Sequence, residues 1–452
     1  MEGKNSRLRK KLKWKYMFSA RNLRAAALAA CIILSAGIAA FGITKVINGG
    51  WGKETFDDGT EKISDDGTKT TSDDGTEKTS SVIEEETATA SVIAVGDNLY
   101  HMNMIEAGAS ETGNWNYDFL YEHVLDEIQS ADVAIVDQET VLTKDHEAVE
   151  AYPTFLTPVE AADALVKAGF DVVYSATNHA DDKGPDAILE TVAYWKTNYP
   201  EITFLGLHDS AEDASVIRVR EVNGIKIAFI NYTFGTNMAI LEGMEDYMID
   251  ELSEGSEQVS QMIQKAKTMS DCVIFIAHWG IEDDTAPSEY QKQWASFLLK
   301  QGVNVVIGGH PHVLQPYGRF SDDKGNEAVI FYSLGNFVSN MNYLPEVVEG
   351  MASFTIKKTV RNGQTSVKIL NETVKPMIMH YDYNRQNPAV YMLKDYTEDL
   401  AEVHGSATYI QEWAVTLENM HTLFDEIMSG KAELSTGTDL LNKHFDWDGN
   451  IY

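Results

Sequence analysis

Two imidazoles one residue apart, in Gly308-Gly309-His310-Pro311-His312, are the side chains of this sequence best spaced to hold a metal ion. Pro311 fixes its own φ and stiffens the loop between them. Other ligand-type residues follow apolar runs in the same manner. Residues 91–95 run into Gly96-Asp97, 133–136 into Asp137-Gln138-Glu139, and 172–175 into Ala176-Thr177-Asn178-His179. Residues 273–277 run into His278-Trp279-Gly280, 303–307 into the His310 loop, and 329–332 into Ser333-Leu334-Gly335-Asn336-Phe337. Carboxylates, imidazoles and amide oxygens together suit a hard-to-borderline divalent cation such as Mn, Zn, Fe or Mg. The candidate ligands are Asp97, Glu139, Asn178, His278, His310 and His312. The chemistry such a set serves is metal-assisted attack of water on a phosphoryl or acyl centre. Asp97 is then counted catalytic as well, and His179 is the candidate general acid or base, since imidazole titrates near neutral pH. A lone Gly-Asp is usually a turn, and a lone histidine is usually a half-buried core group. Repetition at six run ends is what carries this reading.

These groups meet only if the runs are neighbouring strands. Eight short β-branched runs (91–95, 133–136, 172–175, 202–205, 225–231, 273–277, 303–307 and 329–332) alternate with helical patterns at 158–168, 185–195 and 288–301. That alternation predicts a layered α/β fold, in which the carboxyl ends of strands line the ligand crevice. Asn223-Gly224 between two β-like runs predicts a hairpin. A strand-rich stretch at 351–374 makes the central sheet mixed, and C-terminal helices follow. There Trp413, Leu417, Met420, Leu423, Phe424 and Ile427 form a stripe at helical spacing, read as core packing.

Charge divides the chain sharply. Ten of the 36 Lys/Arg and only one of the 69 Asp/Glu lie in residues 1–50, which leaves 26 basic against 68 acidic residues, a net of −42, in the remainder. Such a body repels phosphate backbones, so nucleic acid is rejected as a partner. Residues 25–43 carry no charge, and nine Lys/Arg precede them. Length and flanking charge predict one transmembrane helix within residues 25–47, its basic tail (1–24) in the cytoplasm and the body outside the cell membrane. Three acidic octapeptides (57–64, 65–72 and 73–80) place a disordered spacer at 48–90. The two cysteines, Cys31 and Cys272, lie in separate apolar runs and form no plausible pair. The domain containing the candidate site is assigned to 91–380, and a helical extension to 381–452.

The ordered motifs resemble the CapA family, associated with capsule and poly-γ-glutamate synthesis, whose fold is related to calcineurin-like metallophosphoesterases. The matching residues are Gly96-Asp97, Glu139, Phe155 with Pro158 and Glu160, residues 168–173, Asn178-His179 with Asp182 and Gly184, His278-Trp279-Gly280 with Gln291, the Gly-His-Pro-His loop, and residues 333–337. Asp137, Thr177 and Gly309 stand where that pattern has Asn, Asn and His. The resemblance implies a metallophosphoesterase-like layered fold over 91–380. It also implies a role in making or exporting poly-γ-glutamate beside the membrane subunits of its synthase. A metal-dependent cell-envelope phosphoesterase and a non-catalytic scaffold of a capsule synthase are the alternatives.

Overall fold

The computed structural model describes residues 85–110, 112–238 and 241–443. The tail, the anchor and residues 48–84 of the spacer lie outside the described residues. Among the described residues no helix is long and apolar enough to cross a membrane.

The strands are, in chain order, β1 (Glu85–Asn98), β2 (Val133–Gln138), β3 (Leu142–Thr143), β4 (Thr157–Pro158), β5 (Val172–Tyr174), β6 (Thr203–Leu205), β7 (Arg218–Val222) and β8 (Ile225–Thr233). There follow β9 (Cys272–His278), β10 (Val305–Gly309), β11 (Leu314–Ser321), β12 (Glu327–Leu334), β13 (Asn336–Val338), β14 (Val348–Arg361), β15 (Gln364–His380) and β16 (Ala389–Met392). One large sheet has the order β16-β15-β14-β1-β2-β5-β6, with β13 also paired to β1; the other large sheet has β11-β12-β10-β9-β8-β7, and β3 and β4 pair only with each other. Both large sheets are mixed. β1, β2, β5 and β6 run parallel, as do β8, β9, β10 and β12, while antiparallel strands flank each set.

The central mixed layer is thus two sheets, and the alternation of side chains shows how they stack. Ile227, Phe229, Ile274 and Ile276 belong to the core shared with the first sheet, whereas Ala228, Ile230, Val273 and Phe275 belong to a second core. Parallel strands buried on both faces read as unbroken apolar runs, which is why 273–277 shows no polar alternation. The main helices are α1 (Glu160–Ala168), α2 (Gly184–Asn198), α3 (Ser256–Met269), α4 (Glu289–Gln301) and α5 (Leu417–Met428). α3 closes the second core with Val259, Ile263 and Ala266, and α4 does so with Trp294, Ala295, Leu298 and Leu299. Gln291 is part of a cap: Ser288 accepts from its backbone N–H while its side-chain oxygen accepts from Ser288 N at 2.8 Å, a reciprocal arrangement that satisfies two helix-end donors.

Asn223-Gly224 forms the expected hairpin, with φ of 52° and 79° joining β7 to β8. The C-terminal stripe is core: Met420, Leu423, Phe424 and Ile427 of α5 are buried, while Trp413 precedes the helix. Two boundaries differ from the sequence reading. β1 starts at Glu85, because residues 85–94 pair with β14, so 85–90 are strand and not spacer. The stretch after 380 is not wholly helical, since β16 pairs with β15 at the sheet edge. Four residues are too few for a periodic signal to reveal such a strand.

Beyond β6, His208 joins two segments. Its Nε2 lies 2.9 Å from Asp250 Oδ2, and its Nδ1 lies 3.5 Å from Asp213 Oδ2, a carboxylate that also pairs with Lys196 and Arg218. Burial opposes the imidazolium, but Asp250 and Asp213 outweigh it and raise His208 to about 9. A raised folded-state value stabilises fully below the unfolded value of 6.5 and is lost as pH rises through about 9. The stability difference between wild type and His208→Gln is therefore expected to shrink between pH 6.5 and 9, by on the order of 2–3 kcal/mol. Chemical denaturation at pH 6 and pH 9.5 measures it; an unchanged difference would discount the clamp.

Candidate metal centre

Parallel register brings the polar strand ends into rows. Asp97 of β1 is paired with Asp137 of β2 on one side and Asn336 of β13 on the other, and Asp137 with Tyr174 of β5. In the second sheet His278 of β9 is paired with Gly309 of β10. Between Ala94 and Asp97 the β1–β2 register shifts, and such a bulge re-aims the side chain that follows it. Asp97, Asp137, Glu139, Glu349, His278 and His310 are all 0% exposed and His312 is 2% exposed.

Three groups of potential ligand atoms result, each with its atoms within 4.8 Å of one another: Asp97, Asp137 and His278; Asp97, Glu139 and His312; and Glu282, His310 and His312. Asp97 is common to the first two. His278 Nδ1 lies 3.4 Å from Asp137 Oδ2, and His312 Nε2 lies 3.8 Å from Glu139 Oε1. Each of these imidazoles is held by an asparagine. Asn178 Oδ1 is 2.8 Å from His278 Nε2, and Asn336 Oδ1 is 3.0 Å from His312 Nδ1. An amide oxygen accepting from one ring nitrogen leaves the other free as a ligand. Asn336 also donates to the carbonyls of His312 and Glu346, at 3.0 Å each.

Electrostatics point the same way. Burial, reinforced by Asp97 and Glu139, raises the Asp137 carboxyl well above its ordinary value, and burial raises Glu139 to about 7. Glu349 is likewise raised by burial and by Asp97. Burial and neighbouring imidazoles hold His278 and His310 well below the usual range, hence neutral. For His312 burial opposes charge, but Glu139 and Asp97 outweigh it and raise it. Among the described residues, both oxygens of Asp137, Glu139 and Glu349, Oδ1 of Asp97, Nδ1 of His278 and both ring nitrogens of His310 are buried with no hydrogen-bond partner. Buried carboxylates without partners are costly unless a cation compensates them. The donors are mixed N and O, so the residues fit a divalent metal site.

Of the predicted ligands, the structure brings Asp97, Glu139 and His312 into one group, places His278 with Asp97, and places His310 with His312. Asn178 sits on His278, its amide nitrogen 3.3 Å from Asn237 Oδ1. His179 stands to one side of the three groups. Its Nδ1 is 2.8 Å from Asp182 Oδ2, Phe155 packs edge-on at 4.7 Å, and Asn237 Nδ2 lies 3.5 Å from its Nε2. Burial opposes its charge, but Asp182 outweighs this and raises its pKa. Glu160 instead meets His146 at 2.9 Å. Asp137, Asp182, Glu282, Asn336 and Glu349 also belong to the site, although none is among the residues expected there from the sequence. Asp137, Asp182 and Asn336 lay inside the motifs, and the signal for Glu349 is a lone acid in the run Val347-Val348-Glu349-Gly350-Met351. Thr177 ties two loops together by donating to Glu139 O at 2.6 Å. Gly309 is no gap: a Cβ there would lie 2.5 Å from Asp97 Oδ1, so the carboxylate occupies that space.

Two stacked mixed sheets with helices outside and a buried carboxylate–imidazole cluster at the strand ends define an α/β protein with a candidate metal centre. The bacterial capsule synthesis protein family PGA_cap matches residues 91–341, and the chain belongs to that family. It is 25% identical over 314 residues to the capsule biosynthesis protein CapA of Bacillus anthracis, across 67% of this chain and 73% of that protein. It is 28% identical over 266 residues to the PGA biosynthesis protein CapA of Bacillus subtilis (strain 168), across 58% and 67%. Among solved structures it is similar to a putative 5′-nucleotidase from Staphylococcus aureus in complex with alpha-ketoglutarate (TM-score 0.38, 14% identity, 75% of this chain and 58% of that one). It is also similar to a dimetal phosphatase from Danio rerio (TM-score 0.34, 10% identity, 63% and 100%).

Proposed function

We propose that this chain is a membrane-anchored, extracytoplasmic protein acting in the synthesis or export of poly-γ-glutamate, through a divalent-metal centre built on Asp97. Family membership and the two CapA relatives support the capsule role. The uncharged stretch at 25–43, with its basic flank, supports the anchor. Membrane subunits of a poly-γ-glutamate synthase are the partners this reading implies.

The observation that carries the metal centre is the set of buried, unpartnered carboxylate and imidazole atoms around Asp97. Asp97, Asp137, Glu139, His278 and His312 would hold the metal, with His310 beside them in the group it shares with His312. A divalent ion bound there supplies a Lewis acid and acidifies water. The protein's own residues do the rest. Asn178 and Asn336 fix the tautomers of His278 and His312. Asp182 holds His179 at Nδ1, so the imidazole can carry a proton beside the centre. Phe155 covers that ring.

The test is complementation in a poly-γ-glutamate-producing strain lacking this gene. Full-length wild type should restore surface polymer, and Asp97→Asn, at equal protein level, should not. Unchanged polymer in the deletion strain would exclude the capsule role. Full rescue by Asp97→Asn would turn the reading to a non-catalytic scaffold. A second reading, a cell-envelope phosphoesterase, draws on the His179–Asp182 pair. It requires release of phosphate from an envelope phosphoester that is lost in His179→Gln.

A further inference from the structure

The sequence singles out His310 as a ligand, yet it does not belong to either group that shares Asp97. Its ring is fully buried, with neither nitrogen hydrogen-bonded. Phe234 packs against it, with ring centroids 4.6 Å apart. Its backbone is held at φ 95°, a conformation that is strained for a non-glycine residue, while its N–H donates to Asp97 Oδ2 at 3.0 Å. A buried imidazole without a partner also forfeits the hydrogen bonds it would make in water. A strained, unpartnered side chain of this kind is aimed at something that binds it.

What lies opposite is set by Gly280. With φ 111°, and with the space for a Cβ filled by Pro311 Cγ at 2.9 Å, it turns the chain back over the His310 loop as only glycine can. Asp283 N then donates to Pro311 O at 2.9 Å, and Gln315 Nε2 donates to Asp284 O at 2.8 Å. Pinned on both sides, the turn delivers the half-buried Glu282 to His310 and His312.

We propose that Glu282 is a metal ligand: with His310 and His312 it holds a divalent cation at the mouth of the centre. The inference rests on the centre being a metal site. His312 is common to this group and to the Asp97–Glu139 group, so one imidazole serves an inner or an outer cation, and Glu282 distinguishes the outer. Two nitrogens and one carboxylate suit a borderline ion such as Zn or Mn. Three protein donors leave coordination positions open, and the half-exposed side of Glu282 gives an anionic group access to them. A cation placed there lets a protein body of strongly negative charge receive a carboxylate or phosphate substrate.

The experiment uses full-length protein in detergent, stripped by chelator and titrated with Mn(II) by calorimetry. Wild type is compared with Glu282→Gln, His310→Gln and the double variant, each shown to be folded by a cooperative thermal melt in the stripped state. The expected result is that Glu282→Gln weakens one Mn(II) equivalent at least about tenfold and leaves any other unchanged. His310→Gln should weaken the same equivalent, and the double variant should add little, as for two ligands of one ion. A Glu282→Gln isotherm that coincides with a metal-binding wild type would overturn the Glu282 assignment alone. Failure of wild type itself to bind Mn(II) would overturn the metal centre, and this site with it.

Discussion

Asp137→Asn is expected to stabilise the metal-free protein and to reverse that order once metal is bound. In stripped wild type, Asp137 is fully buried, both its oxygens lack partners, and Asp97, Glu139 and Glu349 add three more acids to the same dry region. Asparagine has nearly the same shape and is neutral without the proton uptake that burial forces on the raised Asp137 carboxyl. Its amide can donate to Asp97, whose ligand atom lies within 4.8 Å of that of Asp137, or to His278 Nδ1, 3.4 Å from the present Oδ2. Relief of one unpartnered buried group contributes about 1–3 kcal/mol, so stripped Asp137→Asn should melt a few degrees above stripped wild type. With metal the balance inverts. Wild type gains about 2.7 kcal/mol when free metal is a hundred times the dissociation constant. The variant, short of one charged ligand in the group of Asp97, Asp137 and His278, gains less. Calorimetric melting in chelator and in excess Mn(II) gives four temperatures. The same order of wild type and variant in both conditions would show that Asp137 serves the fold and not an ion.

Crossed stabilities of this kind are typical of a site that the fold maintains against its own interest, and they bear on what could be read from the sequence. The polar strand ends were legible because parallel strands put all their carboxyl ends on one edge. That geometry requires only that the runs be strands. How the ligands group was not legible. Whether His278 faces Asp137 or Glu139 depends on a register shift between Ala94 and Asp97, and on positive φ at His310 and His312. Neither leaves a mark in residue type. The doubling of the sheet was hidden for a related reason: a run buried on both faces does not say which sheet it joins. Gly309 shows the opposite error. Compared by type alone it is a missing imidazole, whereas in the fold Asp97 fills its place. Glu349 escaped because it is the second residue of β14, an antiparallel strand whose amino end, and not its carboxyl end, lies beside the Asp97 end of β1.

The largest effect on stability and site together is expected from Gly96→Ala. A Cβ at Gly96 would lie 1.8 Å from Gly335 O and 2.8 Å from Gly335 C. Both are backbone atoms, so no rotamer relieves the clash, and the connection between β12 and β13 must move away from β1. That connection cannot yield cheaply. Asp97 N donates to Gly335 O at 3.1 Å, Asp97 is paired with Asn336, and behind Gly335 stands Glu349, whose Oε2 is 2.4 Å from a Cβ placed there. Overpacking of this kind costs about 3 kcal/mol or more. The displacement falls on Asp97, which two ligand groups share, and on Asn336, which orients His312. Mn(II) binding should therefore fall together with the melting temperature. Gly325→Ala is the matched control. Gly325 has φ 84° with open space around it, so alanine there meets only the left-handed backbone penalty of about 1–2 kcal/mol and should leave Mn(II) binding intact. If Gly96→Ala melted like wild type with an unchanged Mn(II) titration, the close approach of the Gly-Asp and Leu-Gly-Asn turns would not be what positions Asp97. A stability loss confined to the fold, with metal binding kept, would make Gly96 a packing glycine only. Loss of both, against the small and metal-neutral effect at Gly325, is the result that ties the first turn of the sequence motif to the centre it builds.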